Sequence, residues 1–260
     1  MIDNKMFPEE RRQKILTIVN NNGRVDVLEL ANEFKASVAT IRTDLNYLAV
    51  NGDIKRTHGG AILLKRSNIV EKEIPVIEKE NIAIEGKIKM AKAALEFIEN
   101  KQSIFLDIGS TVYQFAKLLS NKHGLSIITN SFRIANEVSR YSDKELIFIG
   151  GVFREKTQAT SGPLAMKVLE EIYVHTFFMS VSGIDFKNGL TTSHISEAEI
   201  KKKMIEKAQK VIVLADSSKF NKVDFARVCA ITDVDIIITD NISKENEASI
   251  KDLGVKLIIA

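Results

Sequence analysis

Apolar residues recur at helical spacing between residues 38 and 48, and this stripe is the clearest pattern in the N-terminal part of the chain. Its members are Val38, Ile41, Leu45 and Leu48. The spacing predicts a helix whose apolar side packs inward, and Ser37 is placed to cap it through a backbone N–H. The other side carries Ala39, Thr40 and Thr43, with Arg42 on the flank. Small methyl and hydroxyl side chains of this kind let a helix approach DNA bases and phosphates closely.

The flanking elements decide how this helix is interpreted, because one amphipathic helix alone is ordinary in any small bundle. Upstream, the pattern predicts a helix that begins at Pro8 and ends at residues 20–23, then a second helix over residues 27–35. Downstream, residues 53–62 predict two short strands joined by a tight return. This wing carries the basic or titratable residues Lys55, Arg56 and His58. Together they favour a DNA-binding unit in which the helix after Ser37 reads bases and the wing meets phosphates.

Beyond residue 78 the pattern changes to short, continuous apolar runs that alternate with helical stretches. The runs lie at residues 104–106, 125–128, 146–149, 177–181, 211–214, 236–238 and 255–259. Continuous runs predict strands covered on both faces, and therefore an α/β domain with a mainly parallel sheet flanked by helices. Residues 64–78 mix charge with Pro75 and show no sustained period, which predicts a linker. The predicted domains are therefore residues 1–63 and residues 79–260.

Polar and glycine residues cluster where the predicted strands end. In an open parallel sheet, ligands bind outside the carboxyl ends of the strands, at a switch in strand order. The candidates are Asp107, Gly109, Ser110 and Thr111 after the first run, Thr129 and Asn130 after the second, Gly150 and Gly151 after the third, and Asp185 further on. Each cluster alone is also typical of a plain capped turn. Their repetition at equivalent places favours one shared pocket, in which hydroxyls and exposed N–H groups bind an anion.

Charged residues near the same strand ends suggest how that anion is held. Lys219 is the candidate for direct contact with a phosphate, although a surface pair with Asp216 is the alternative. Arg154 is a second candidate anion ligand. Glu197 lies near the start of a predicted helix, where it positions sugar hydroxyls or basic groups, or acts only as a partner of the helix dipole. The run at residues 201–203, three lysines, is predicted to be a solvated helix face.

Composition excludes several classes of protein. The chain has 260 residues, 45% hydrophobic and 27% charged, which is typical of a globular protein large enough for two domains. Residues 1–66 carry 11 Lys and Arg against 8 Asp and Glu, which accounts for the whole formal charge of +3. Cys229 has no partner for a disulfide and is expected in a buried strand. No apolar run reaches the roughly 18 residues of a membrane helix, and the histidines lack metal-ligand spacing. We therefore expect a cytoplasmic protein without metal or cofactor.

Residues 8–63 resemble the winged helix-turn-helix of the DeoR family of bacterial transcription regulators. The matching frame is Arg11, Ile15, Val19, Ser37, Thr40, Ile41, Arg42, Asp44, Leu45 and residues 56–61. Thr43 departs from the frame, because the family usually carries a basic residue there. The second domain resembles the sensor domain of the same family, whose fold is similar to that of ribose-5-phosphate isomerase. The matching positions are residues 107 and 109–111, 129–130, 150–151, 162, 183, 185, 189, 197, 216 and 218–220.

The resemblance implies a regulator whose affinity for operator DNA changes when a phosphorylated sugar or related metabolite binds. Most members of the family repress carbohydrate operons. Because operators usually mirror the symmetry of the proteins that bind them, a homo-oligomer, either dimer or tetramer, is expected. The alternative is a sugar-phosphate isomerase with an attached DNA-binding domain. It would need a general base, for which Asp107, Asp185 and Glu197 are the candidates. A third hypothesis is an architectural DNA-binding protein without a ligand.

Overall fold

The computed structural model of the protein describes residues 6–50, 54–63 and 75–260. Its contacts divide the chain into two compact units, which separate between residues 67 and 68. Residues 64–74 of the predicted linker lie outside the described residues, so the predicted domain boundaries stay a prediction. Residues 51–53, which include the start of the predicted wing, also lie outside them. Within the described residues no helix is long and apolar enough to cross a membrane.

The first unit contains three helices and a small antiparallel sheet. Its elements are α1 Pro8–Asn22, β1 Arg24–Asp26, α2 Val27–Glu33, α3 Val38–Val50, β2 Ile54–Arg56 and β3 Gly60–Leu63. The strands pair in the order β1-β3-β2. The three helices and the two wing strands confirm the prediction. Strand β1 was not predicted, because three residues are too few to show an alternating pattern.

The core of the first unit is built from the apolar stripes of the three helices. Ile15 and Val19 of α1, Leu30 of α2, and Ile41 and Leu45 of α3 are 0–1% exposed. Helix α1 ends because Gly23 adopts a left-handed conformation, with φ of 73°, and donates its N–H to the carbonyl of Val19. The spacing of apolar residues therefore predicted both the helices and the faces that they bury.

The second unit contains seven helices and twelve strands among the described residues. The helices are α4 Val76–Lys79, α5 Ile84–Ala94, α6 Ser110–Ala116, α7 Phe132–Val138, α8 Pro163–Glu170, α9 Ile195–Lys207 and α10 Lys244–Asp252. The strands are β4 Ser103–Leu106, β5 Ser126–Thr129, β6 Glu145–Phe148, β7 Val152–Arg154, β8 Ala159–Ser161, β9 Val174–Met179, β10 Gly183–Asp185, β11 Gly189–Thr192, β12 Ala208–Leu214, β13 Ala226–Cys229, β14 Ile236–Thr239 and β15 Lys256–Ile259.

Seven strands of the described second unit form one parallel sheet, in the order β15-β14-β12-β9-β4-β5-β6. These strands coincide with the seven predicted apolar runs, to within a few residues at their ends, and every neighbouring pair is parallel. The sheet confirms the predicted fold class. The strand order reverses between β4 and β9, since the chain builds outward from β4 in one direction and from β9 in the other. That junction is where a ligand site is expected.

Both faces of the large sheet are covered, which explains the continuous apolar runs. On one face Phe105 packs against Phe177, with ring centroids 5.1 Å apart. On the other face Phe178 packs against Phe115 of α6, with centroids 4.4 Å apart. Neighbouring residues of one strand thus enter different cores, because side chains alternate across a strand. No position in the middle of such a strand needs to be polar.

Two small sheets lie beside the large one and were not predicted. Strands β7 and β8 form a hairpin, and β10, β11 and β13 form an antiparallel sheet. Glycine, polar or charged residues interrupt each of these short strands, so the continuous apolar run that marks the large sheet is absent. Cys229 lies in β13, 7% exposed, as expected for a buried strand residue. Burial raises the pKa of its thiol to about 12, so it stays protonated at neutral pH.

Candidate functional site

Helix α3 presents a small, polar face to solvent. Ser37 accepts a hydrogen bond from the N–H of Thr40 at 3.1 Å, so it caps the helix as predicted. Ala39, Arg42 and Thr43 are exposed, and the hydroxyl of Thr43 donates to the carbonyl of Ala39 at 3.0 Å. This bond occupies the hydroxyl hydrogen of Thr43 but leaves its oxygen able to accept. Among the described residues of α3, the exposed cation on this face is Arg42.

Asp44 locks α3 against α1 from the buried side. Its carboxylate, 1% exposed, accepts hydrogen bonds from Nε of Arg11 at 2.6 Å and from Nε of Arg12 at 2.8 Å. The guanidinium of Arg12 also stacks over the ring of Tyr47, 3.9 Å from its centroid. A buried carboxylate with two cationic donors resists rotation of the helix about its axis, because any rotation would break charge-assisted bonds. Asp44 thus fixes which face α3 presents.

The wing residues are held to different degrees. Lys55 and His58 are exposed. Arg56 is half-buried and donates from Nη1 to the carbonyl of Gly60 at 2.7 Å, so it closes the return between β2 and β3. The wing therefore offers Lys55 and His58 freely to a phosphate, whereas Arg56 also serves to hold the turn.

The second unit has a cavity of about 360 Å³ at the junction where strand order reverses. Five predicted effector residues line it: Gly109, Ser110, Thr111, Glu197 and Lys219. The ends of β4 and β9 meet at its floor, where a Cβ atom added to Gly109 would overlap the side chain of Ser180. Only glycine therefore allows the loop after β4 to lie this close to the loop after β9.

A buried ion pair lies beneath the cavity. Asp107 is 1% exposed, and its carboxylate accepts hydrogen bonds from the backbone N–H and the hydroxyl of Ser180, both at 2.8 Å. It also pairs with the ammonium of Lys201, which donates to the carbonyl of Ser180 at 3.0 Å. The three residues connect the ends of β4 and β9 with helix α9. Asp107 therefore supports the floor of the cavity and does not line it.

The prediction that residues 201–203 form a solvated helix face is wrong for Lys201. Its side chain is 2% exposed, whereas Lys202 is exposed. Lys201 lies on the same helix face as the buried residues Glu197, Ala198 and Met204, at spacings of three and four residues. That spacing was visible in the sequence. It was given less weight than the run of three adjacent lysines, because such a run is typical of a solvent-exposed helix face.

Two lysines approach the cavity from different elements. The Nζ atom of Lys219 lies 3.8 Å from the carboxylate of Asp216, and its side chain is 26% exposed. Lys87 of α5 is 3% exposed and donates from Nζ to the carbonyl of Lys79. Burial is the largest cause that lowers the pKa of Lys87, and nearby Lys219 lowers it further, while Asp216 opposes the shift. The sequence analysis did not identify Lys87, although it lies on the buried stripe of α5 with Met90, Ala91 and Ala94.

Glu197 is held at the edge of the cavity by two neighbours. One carboxylate oxygen accepts from Nη1 of Arg154 at 2.6 Å, and the other accepts from the hydroxyl of Thr192 at 3.0 Å. Glu197 is 6% exposed. Arg154 itself does not line the cavity, so its predicted role as an anion ligand is not supported by its position. Its contact instead orients Glu197.

The prediction of one pocket shared by all strand ends is too broad. The predicted residues outside the cavity lining are Asp107, Thr129, Asn130, Gly150, Gly151, Arg154 and Asp185. Thr129 and Asn130 are buried and donate to the carbonyls of Leu106 and Thr160. The carboxylate of Asp185 accepts from the N–H groups of Lys187 and Asn188 in the turn between β10 and β11. These polar residues hold loops together, which is the capped-turn alternative.

The three candidate general bases do not form a catalytic arrangement. Asp107 is paired with Lys201, Glu197 is paired with Arg154, and Asp185 lies outside the cavity. No group of three or more His, Cys, Asp or Glu side chains among the described residues is arranged to hold a metal ion.

Comparison with known families assigns both units. Residues 11–67 match the model of the DeoR-like helix-turn-helix domain, and residues 82–241 match the model of the DeoR C terminal sensor domain. The second match alone covers more than half of the chain.

Similar proteins match over nearly the whole length. An uncharacterized HTH-type transcriptional regulator from Bacillus subtilis is 36% identical over 97% of this chain and 96% of its own. A putative aga operon transcriptional repressor from Escherichia coli O157:H7 is 31% identical over 96% of this chain and 93% of its own. Among solved structures, ribose 5 phosphate isomerase A from Neisseria gonorrhoeae shares 16% identity over 52% of each chain, with a TM-score of 0.38.

Proposed function

The chain belongs to the DeoR family of transcription regulators, and from that premise we propose that it represses a carbohydrate operon and responds to a phosphorylated sugar. The observation that carries the proposal is the cavity at the reversal of strand order, where five lysines and several hydroxyls converge. The proposed effector binds there, and the first unit binds the operator. The name of the Escherichia coli relative supports control of a sugar operon.

The operator is read by the exposed face of α3. Ala39, Thr40 and Thr43 are small enough for the helix to enter the major groove, and Arg42 adds a cation on its flank. Lys55 and His58 of the wing contact phosphates beside the groove. Because operator symmetry usually mirrors protein symmetry, the active form is a homo-oligomer, either a dimer or a tetramer.

The cavity has the chemistry of a sugar-phosphate site. Its volume of about 360 Å³ lies at the small end of the range for ligand pockets, which is roughly 300–1,000 Å³. Lys219 and Lys87 supply positive charge, and Ser110 and Thr111 supply hydroxyl donors, for a phosphoryl group. Carboxylates at the opposite end accept hydrogen bonds from sugar hydroxyls; they include Glu197 and Asp224.

The proposal requires that the effector bind two arrangements of the protein unequally. A ligand with equal affinity for the DNA-bound and DNA-free arrangements would shift neither, however tightly it bound. The effector must therefore favour the arrangement that fits the operator poorly. By linkage, operator DNA must weaken effector binding by the same factor.

A binding experiment on the full chain tests the proposal. Fluorescence anisotropy with DNA from the chain's own upstream region is expected to show binding that weakens with salt. A thermal-shift screen of phosphorylated hexoses, pentoses and polyols should identify an effector, since a ligand at 100 times its Kd stabilises the folded state by roughly 2.7 kcal/mol. Absence of binding to upstream or neighbouring operon DNA would refute the regulatory role, and absence of any thermal shift would favour the architectural hypothesis.

Two variants separate the two units. Arg42→Ala should weaken operator binding by roughly 10- to 100-fold, as expected for loss of one base or phosphate contact, while leaving the thermal shift intact. Lys219→Ala should leave operator binding intact and blunt the response to the effector. Arg140→Ala and Lys251→Ala are the matched controls, because both side chains are 66% exposed in the second unit. A control that lost the same function would show that bulk charge, not position, is responsible.

A further inference from the structure

Lys87 connects the lining of the cavity to helix α4. Its ammonium donates to the carbonyl of Lys79, the last residue of α4. The same amine lines the cavity together with Lys219. One side chain therefore faces both the proposed effector and the helix that directly follows residues 64–74 in sequence.

Helix α5 is held firmly where Lys87 projects. A Cβ atom added to Gly86 would lie 2.6 Å from a carboxylate oxygen of Asp240, so α5 packs directly on the loop after β14. The other carboxylate oxygen of Asp240 accepts from the N–H of Ser217 at 2.8 Å. The backbone of Lys87 is therefore fixed in position, and only the end of its side chain has room to change its hydrogen-bond partner.

Helix α4 is attached by a few polar contacts at its edges. The N–H of Val76 donates to the carbonyl of Lys156 at 2.9 Å, and the carboxylate of Glu80 pairs with Arg133. Val76 is buried, but Ile77 is 55% exposed. A four-residue helix with one buried apolar side chain has little packing energy of its own. The carbonyl of its last residue, Lys79, accepts from the ammonium of Lys87 and from the N–H of Ile82, the latter at 3.3 Å.

Charged groups of both signs surround Lys87, and they come from α4, the turn after it, and the loops after β12 and β14. The groups that act on its ammonium are Asp216 and Lys219 from the loop after β12, Lys79 and Glu80 from α4 and the turn after it, and Asp240, which packs on the preceding residue. Lys87 and Lys219 repel each other across Asp216. A dianionic phosphoryl group placed between the two ammonium groups would relieve that repulsion and favour the charged form of Lys87.

We propose that Lys87 is the relay of the effector site: it holds the carbonyl of Lys79 while the pocket is empty, and it binds the phosphoryl group when an effector enters. The transfer of this ammonium loosens the end of α4, the element through which the second unit continues toward the DNA-binding unit in sequence. This inference rests on the proposed function, because it assumes that the cavity binds a phosphorylated ligand. It adds the residue that couples effector binding in the cavity to a change at α4.

Hydrogen exchange on the full-length protein tests the relay directly. Inorganic phosphate is the probe, and sodium chloride at equal ionic strength is the reference. In the unmodified protein, phosphate should speed exchange of the amides at residues 79–82 while it protects the loop at residues 109–111. This measurement needs no substitution, so it decides the matter even if a variant fails to fold.

Lys87→Met removes the ammonium but keeps a side chain of similar length. Phosphate affinity should fall roughly 10- to 100-fold, as expected for loss of one charge-assisted hydrogen bond. At saturating phosphate the loop should still be protected through Lys219, but exchange at residues 79–82 should no longer respond. Lys89→Met is the matched control, because Lys89 is exposed on the same helix, and it should behave like the unmodified protein.

The outcomes separate the relay from the binding site. If phosphate protects the loop in the unmodified protein but exchange at residues 79–82 does not change, or changes equally in Lys87→Met at saturation, the relay is refuted and the site stands. If neither phosphate nor any phosphorylated sugar protects residues 109–111, the effector site and the relay fall together.

Discussion

Removal of one partner from the buried pair of Asp107 and Lys201 should strongly destabilise the second unit. Lys201→Met keeps the aliphatic body of the side chain and removes its charge, so the carboxylate of Asp107 is left with donors from Ser180 alone. Both side chains of the pair are 2% exposed, so solvent cannot replace the lost ammonium. The unpaired carboxylate then carries a desolvation cost that the pair avoids.

The expected magnitude follows from the burial of both partners. Removal of one partner from a buried ion pair typically costs about 3–5 kcal/mol. For a domain of this size each kcal/mol lowers Tm by about 2–4 °C, so the variant should melt roughly 6–20 °C lower. Lys202→Met is the control: Lys202 is exposed beside the pair, and its substitution should change stability by no more than about 0.5 kcal/mol.

Differential scanning calorimetry of the full chain measures these shifts, and a double variant tests their cause. Asp107→Asn combined with Lys201→Met removes both charges, so it should cost less than the two single variants added together, by roughly 0.5–3 kcal/mol. Strict additivity would show that the two residues act independently. A Lys201→Met protein as stable as the Lys202→Met control would refute the reasoning, because it would mean that the buried carboxylate needs no cation.

Three further predictions concern the cavity and the recognition helix. Gly109→Ala should lower phosphate affinity at least about tenfold, measured by titration calorimetry, because its Cβ would overlap Ser180 and separate the two strand ends; unchanged affinity would mean that the loops move apart without cost. As pH rises toward 10.5, the ordinary pKa of a lysine, phosphate affinity should fall in the unmodified protein before an ordinary lysine would titrate, since the pKa of Lys87 is lowered from that value; the amine loses its charge as pH rises through that lowered pKa. This part of the fall should be absent in Lys87→Met, and a fall of equal size there would assign it to another group. Thr43→Arg should strengthen binding to all DNA sequences if the position meets phosphate, and should change sequence preference if it meets a base; a selection experiment on random operators distinguishes these results from no effect.

Much of the fold followed from periodicity alone. The apolar stripe of α3 predicted its buried face, and the seven apolar runs predicted the seven strands of the large sheet. Both patterns are local: a helix or a strand buried on two faces leaves its period in consecutive residues. Strands β1, β7 and β10 were missed because three residues cannot show a period.

Most of the predicted residues that line the cavity follow strands at or beside the reversal of strand order. Gly109, Ser110, Thr111 and Lys219 satisfy that condition, because the loops after β4 and β12 open into the cavity. Thr129 ends β5 and Asn130 follows it, yet their side chains donate to the carbonyls of Leu106 in β4 and Thr160 in β8. Local sequence is alike in the two cases, so strand order decided which of them line the cavity.

Lys87 and Lys201 mark the limit of inference from the chain. Both are lysines on helix faces that are otherwise apolar, and a lysine there is ordinarily expected at the solvent edge of the helix. Whether such a side chain is buried depends on whether a carboxylate or carbonyl from a distant segment meets it. For Lys201 that partner is Asp107, 94 residues away in sequence.

The sequence by itself therefore determined the helices of the first unit, the seven strands of the large sheet, the fold class and the family, because each of these is encoded in neighbouring residues. The exposed face of α3, from which a DNA-reading helix was first inferred, is of this kind. Only the tertiary structure decided which strand ends meet, which lysines are buried, and that Lys87 joins the cavity to α4. Those facts depend on pairs of residues far apart in the chain. A local sequence pattern shows one residue of such a pair but not the distant residue that contacts it.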